Sequence, residues 1–248
     1  MSDIRPIHGD KLRALLQNPK LPHSEQSRIE VAFQQYTNWR SSLFMVTGNF
    51  EDKTTQLVAL LNDYKMYLDL EIIYDSEDDF IYRQKGQLKL DNTAIEEFLP
   101  IFISQLLGDE MANYGLNFGA TTCFSSLYFS SSLLSQESGA GIKLRQKNQD
   151  FVISRPLYLQ ASHFSDWRDS ITHQTQIAYL AMECKTNLDK TMFQEASATA
   201  SDLKLSVPSA KYYLLCEWLD MTPISSSTTA IDEVLILRKA KRLPSNIR

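Results

Sequence analysis

The chain has 248 residues, 43% of them hydrophobic and 22% charged, long enough to bury roughly 70–75% of its unfolded surface without a disulfide or metal staple. Eight Gly and eight Pro exclude collagen-like and low-complexity classes, and a net charge of −5 argues against a protein that coats nucleic acid non-specifically. Three cysteines, Cys123, Cys184 and Cys216, cannot form a paired framework and read as free thiols in a reducing compartment. The opening residues Met1–His8 show no basic region followed by an apolar stretch, and no uncharged apolar run is long enough to span a bilayer. A cytoplasmic protein is expected.

In chain order, residues 24–44 predict a helix, because Ile29, Phe33, Tyr36, Trp39 and Leu43 recur at three- and four-residue steps. A second helix is expected over about 52–70, with Leu57, Leu60, Leu61, Tyr64 and Leu68 as its apolar stripe. Glu71–Tyr74 and Phe80–Leu90 read as a short β-like stretch. Thr93-Ala-Ile-Glu96 has the form of a capping box, which would start a third helix near residue 94. The character changes after the Ser-rich segment Ser125–Ser135. Phe151–Leu159, Gln176–Lys185, Lys211–Trp218 and Glu233–Lys239 are short, apolar and rich in aromatic or β-branched residues, as strands are. Lys190–Leu205 is of helix length and is ended by Pro208. The expected fold is α/β, a three-layer β-β-α-β-β core with a mixed sheet over 125–248, preceded by a mainly helical half over 1–124. With no repeat or flexible linker, the halves are expected to pack as one compact unit.

Charge is unevenly spread. Residues 51–100 hold five basic and twelve acidic residues, whereas Arg238, Lys239, Lys241, Arg242 and Arg248 form a basic patch near the C-terminus, which a solvated tail would also explain.

The usual nucleophile and nucleotide motifs are missing: there is no Gly-x-Ser-x-Gly, Walker A or Gly-x-Gly-x-x-Gly, and Gly139-Ala-Gly141 reads as a turn. No Cys-x-x-Cys occurs, and the histidines show no zinc spacing. What remains is a carboxylate–lysine constellation. Glu183-Cys184-Lys185 ends the apolar run Ile177–Met182, and Asp150 opens the preceding strand. Alternate residues of a strand share a face, so Glu183 and Lys185 would project together while Cys184 turns away. Asp150 on a neighbouring strand would complete a two-carboxylate pocket. Two hard oxygen anions suit Mg²⁺, which keeps several waters and takes further ligands from substrate and a backbone carbonyl, here that of Cys184. Lys185 would then hold the attacking water and offset charge on a scissile phosphate. The chain has four acid-x-Lys triplets, so the tripeptide alone is weak. Glu51-Asp-Lys53 is at a loop or helix start, and Asp63-Tyr-Lys65 and Asp202-Leu-Lys204 are on expected helices. Glu183-Cys-Lys185 alone ends a buried strand behind an acid; its bland alternative is a surface ion pair.

Asp150, Glu183 and Lys185 resemble the signature of the PD-(D/E)XK nuclease superfamily. The stretches Glu183–Lys204 and Lys211–Ser225 resemble Type II restriction endonucleases of the Bpu-ten-I and BbvCI type, as do His8–Pro22 and Tyr82–Asn92. The resemblance implies a restriction-endonuclease-like core that hydrolyses phosphodiesters of double-stranded DNA at a short recognition sequence, with Mg²⁺ held by Asp150, Glu183 and the Cys184 carbonyl. Gln149 stands where the superfamily signature has Pro.

For DNA contact the candidates are Arg145 and Lys147, just ahead of Asp150, and Arg83, Lys85 and Lys89 around Gly86, in an expected strand-turn that could follow phosphates. Gln194 on the helix after the motif could support the site or contact DNA, and Glu137 is a candidate extra metal ligand. Ala196, Ala198 and Ala200 point to close packing on the sheet, and His163 and His173 read as loop residues between the active-site strands. A repair or structure-specific nuclease, and a non-catalytic DNA-binding module with a degenerate nuclease fold, stay open beside the restriction enzyme. The long N-terminal half favours sequence readout. One catalytic set per chain implies a second nuclease subunit, either a related non-identical chain or a second copy.

Overall fold

The computed structural model describes residues 4–76 and 80–238, without the side chains of residues 85 and 86. The chain divides into two compact units between Glu110 and Met111. The expected boundary at 124/125 instead falls inside a strand.

The first unit is helical: α1 (Ile7–Leu16), α2 (His23–Met45), α3 (Phe50–Tyr67), α4 (Phe80–Leu88) and α5 (Leu90–Asn113), whose last residues pass into the second unit. Asn49 caps α3, its side chain accepting from the Asp52 amide at 2.9 Å, a contact worth about 1 kcal/mol. Of the apolar stripes seen in the sequence, Ile29, Tyr36, Trp39, Leu43, Leu57, Tyr64 and Leu68 are buried in the core, where Leu12, Ile72, Ile81 and Ile101 join them, while Phe33, Leu60 and Leu61 are partly buried against it; each fully buried Leu or Ile contributes roughly 1.5–3 kcal/mol.

Three sequence expectations are corrected here. Glu71–Tyr74 is not β-like but belongs to a π-helical segment, Leu68–Tyr74, that continues α3 and buries Leu68, Ile72 and Ile73. Phe80–Leu88 is likewise helical; its opening run Phe80-Ile81-Tyr82 hides the helical period, and burial of Ile81 decides the matter. Helix α5 also starts at Leu90, so Thr93 is no cap. Its hydroxyl bonds the carbonyls of Lys89 and Leu90, at 3.0 and 3.2 Å.

At the centre of this unit lies a polar knot around His8, which is fully buried. Its Nδ1 meets Thr93 Oγ1 at 2.9 Å, its Nε2 meets Tyr64 OH at 2.7 Å, and its amide donates to Glu97 at 2.8 Å. Glu97 is fully buried too, accepting from Tyr36 at 2.8 Å and from Arg40. Gly9 is required beside it, because a Cβ there would sit 2.5 Å from the Tyr36 ring.

The second unit is one five-stranded sheet in the order β1 (Asn117–Phe129), β2 (Ile142–Ala161), β3 (Ile171–Leu188), β4 (Lys211–Leu219), β5 (Glu233–Ile236), with α6 (Lys190–Ser206) between β3 and β4. The first three strands are antiparallel, and β3, β4 and β5 are parallel. The sheet is therefore mixed, and the helical N-terminal half is as expected. Strand β1 adds to the expected order and takes in part of the Ser-rich segment. Its pairing with β2 shifts register twice, and such bulges break the alternation by which a strand is read. Asp189 caps α6 by accepting from the Met192 amide at 2.8 Å. Phe193, Ala196, Ala200 and Leu203 of α6 pack with Val152, Ala181, Tyr212, Leu214 and Cys216 of the sheet. Ala198, also expected to pack there, is exposed.

Candidate active site

Asp150 stands at an irregularity. Gly119 faces Val152 and Thr121 faces Gln149, so Asp150 and Phe151 lie opposite the single residue Ala120. Such a bulge re-aims a side chain, and bulges are over-represented next to active sites. The aim here is explicit: Asp150 Oδ2 accepts a 2.8 Å hydrogen bond from the backbone amide of Cys184. The carboxylate is thus fixed to the peptide that joins Glu183 to Cys184.

The β3–β4 register places Ala181, Glu183 and Lys185 beside Tyr212, Leu214 and Cys216, on the face packed by α6. Cys184 points to the other side and is buried. Glu183 is held at both oxygens. Lys185 Nζ lies 2.6 Å from Oε1, and the Tyr212 hydroxyl donates to Oε2 at 2.7 Å. Side-chain exposures of 20% for Glu183 and 25% for Lys185 leave the pair reachable from solvent. Burial pulls the Lys185 pKa down, but the hydrogen bond and charge of Glu183, with the carboxylates of Asp150 and Glu195, outweigh it and raise the pKa above the ordinary lysine value. The ammonium is therefore charged at neutral pH. Burial, followed by the charge of Glu183, pushes the Tyr212 phenol well above its usual pKa, so it remains a donor.

The donor chemistry fits a hard cation. Asp150 and Glu183 offer carboxylate oxygens and Cys184 a backbone carbonyl. Among the described residues no three His, Cys, Asp or Glu side chains form a metal cluster; Mg²⁺ is commonly held by one or two carboxylates and otherwise keeps its waters.

The other predicted residues are spread more widely. Arg145 is exposed on β2, and Lys147, half-buried, lies 3.5 Å from Asp202 of α6. Gln194 is exposed on α6. Arg83 and Lys89 are exposed in the helical unit, Arg83 on α4 and not on a strand-turn, and Lys89 at the α4–α5 junction with φ of 52°. Lys85 has its side chain outside the described residues. Glu137 lies 3.5 Å from Lys143 and accepts from Ser130 at 3.0 Å. Lys143 is seven positions along β2 from Asp150, about 23 Å at strand rise, which sets Glu137 apart from the carboxylate pair. His163 is in the β2–β3 loop, but His173 is on β3. Arg238 of the basic patch bonds the buried Glu217 at 3.0 Å; Lys239, Lys241, Arg242 and Arg248 lie outside the described residues.

Sequence reasoning missed Tyr212 and Asn187, and noted Gln149 only for standing where the signature has Pro. Tyr212 sits in the apolar string Tyr212–Cys216 and reads there as core. Among the described residues, the buried Gln149 has no hydrogen-bond partner for Nε2, and Asn187, half-buried, donates to Asp220 at 3.1 Å while its Oδ1 has none. No signal in the sequence separates these from ordinary strand residues.

Two comparisons bear on the family and the fold. A family model described as Bpu10I restriction endonuclease matches residues 87–248. A solved structure described as "native BbvCI A2B2 tetramer at low resolution" superposes with a TM-score of 0.66 at 22% sequence identity, covering 94% of this chain and 83% of that one. At that identity the likeness concerns the fold, and it includes the helical half. A search among curated proteins gives no match.

Proposed function

The chain belongs to the Bpu10I restriction endonuclease family, and we propose that Asp150, Glu183 and Lys185 are the residues with which this Type II restriction endonuclease cuts double-stranded DNA. The observation that carries the assignment is the hydrogen bond from the Cys184 amide to Asp150 at 2.8 Å. It ties two carboxylates and a charged lysine, from the neighbouring strands β2 and β3, to one place on the sheet. Family membership favours this reading over a repair nuclease or a non-catalytic module.

Asp150, Glu183 and the Cys184 carbonyl would hold Mg²⁺. The ion would supply Lewis-acid stabilisation of charge on the scissile phosphate. Lys185, charged at neutral pH, would orient the attacking water and offset the same charge. Arg145, Lys147 and Gln194 would contact DNA beside this centre, and Arg83, Lys85 and Lys89 would do so from the helical unit, which we assign to recognition or assembly. The protein would act in the cytoplasm, where its three buried free thiols stay reduced.

A double-strand break needs two hydrolyses and this chain supplies one catalytic set, so a second nuclease subunit is part of the proposal. The solved fold neighbour, described as an A2B2 tetramer, supports two related, non-identical chains over a simple homodimer. The test is digestion of plasmid with Mg²⁺, by this chain alone and with a related subunit added, followed by sequencing of the ends. Ends confined to one short sequence are expected. Ends scattered without sequence preference would overturn the restriction reading.

A further inference from the structure

The Glu183 carboxylate is gripped from two sides by unlike donors. Lys185, on Oε1, is a flexible ammonium that keeps a quarter of its side-chain surface in solvent. Tyr212, on Oε2, is fully buried. Tyr212 is also fixed by its own backbone: its amide donates to Asp232 Oδ2 at 2.8 Å, and its carbonyl accepts from the Asp232 amide at 2.9 Å. Asp232 is anchored in turn by Lys204 at 2.5 Å and Lys211 at 3.0 Å. The phenol reaches Glu183 from the neighbouring strand, where Tyr212 pairs with Ala181, two residues before Glu183 on the same face.

Only one of these donors can leave. An ammonium has three donors, and a lysine that turns towards a phosphate or a water loosens its hold on Glu183, so the carboxylate's orientation then rests on the donor that stays. We propose that Tyr212 is a positioning residue of the active site, holding Glu183 Oε2 so that Oε1 is presented towards Asp150 and a bound cation. The proposal rests on the reading of Glu183 as a metal ligand. Hydrogen-bond partners of ligating carboxylates restrict their rotation, and their loss typically costs 10–100-fold in metal affinity.

The experiment measures Mn²⁺ binding to the full chain without DNA, by the electron paramagnetic resonance signal of free Mn²⁺, in the parent, Tyr212→Phe, Glu183→Gln and the double variant. Phe keeps the ring and removes the hydroxyl, and circular dichroism checks that the sheet is retained. Tyr212→Phe is expected to weaken Mn²⁺ binding about tenfold and to raise by a similar factor the Ca²⁺ concentration needed for DNA binding. In the Glu183→Gln background it should change nothing, a coupling that a packing role would not produce. Mn²⁺ affinity of Tyr212→Phe within twofold of the parent, while Glu183→Gln weakens it, would overturn the positioning role alone. Unchanged affinity in Glu183→Gln would overturn the metal-ligand reading and the positioning role with it.

Discussion

Acidification should destabilise the helical unit through one residue, His8. Its ring is fully buried, and burial, followed by the nearby Lys65 charge, lowers its pKa from 6.5 to about 3. Thr93 already donates its hydroxyl hydrogen to backbone carbonyls, so its oxygen accepts from His8 Nδ1–H, and Tyr64 donates to Nε2. The neutral ring is satisfied, and a second ring proton, on Nε2, would force the Tyr64 hydroxyl to turn from donor to acceptor. The unfolded chain takes up that proton near pH 6.5, whereas the folded one refuses it until about pH 3. The stability His8 contributes is therefore full above pH 6.5 and lost progressively as the pH falls towards 3. At about 1.4 kcal/mol per pH unit, the loss between pH 7 and 5 is about 2 kcal/mol, a large share of an ordinary stability of about 5–15 kcal/mol. The assay is urea unfolding at pH 7 and pH 5, read by hydrogen exchange of α2, for the parent and His8→Gln. The variant starts less stable, having lost ring contacts, but its pH slope should be shallower by about 2 kcal/mol across the interval. Equal slopes would show that His8 is protonated in the folded protein and refute the reasoning.

Mg²⁺ or Mn²⁺ should support cleavage, whereas Ca²⁺, larger and more loosely coordinated, should support specific binding without cutting; cleavage undiminished in excess EDTA would contradict the oxygen-donor site. Replacing Arg83, Lys89 or Arg145 by Ala should weaken DNA binding in fluorescence anisotropy. Loss of a phosphate contact lowers the salt slope by about one and loss of a base contact relaxes one position of the site, while three parent-like variants would place the DNA surface elsewhere. Alone, the chain should nick plasmid or stay inactive and gain double-strand cleavage with its partner subunit, as read on agarose gels; linearisation by a homodimer would refute the unlike pair.

The elements legible in the sequence are those whose apolar spacing survives folding unbroken. Ile29, Tyr36, Trp39 and Leu43 mark α2 and are buried by it together with Glu25 and Ala32, while Phe33 of the same stripe is half-buried. The run Ile177–Met182 marked β3, which led to Glu183 and Lys185. Legibility failed where local pattern and tertiary environment disagree. Phe80-Ile81-Tyr82 is strand-like by composition and helical by packing. In β1 only Cys123 and Ser125 are buried, and bulges interrupt the alternation on both strands of its ladder. At the site, residue types that do chemistry stood out, but what orients them did not: Asp150 depends on a bulge, and Tyr212 on a parallel register that no local spacing encodes.

The assignment of Asp150, Glu183 and Lys185 is tested most directly by single-turnover cleavage of plasmid DNA with Mg²⁺, comparing the parent with Lys185→Ala at saturating enzyme and with melting curves recorded for both. Lys185 is partly exposed and its ion pair is with Glu183, so its removal should leave the melting temperature within a few degrees. The rate should fall by about 10²–10³-fold or more, as loss of a charge-stabilising donor does. A folded Lys185→Ala protein that cuts at the parent's rate would contradict the account.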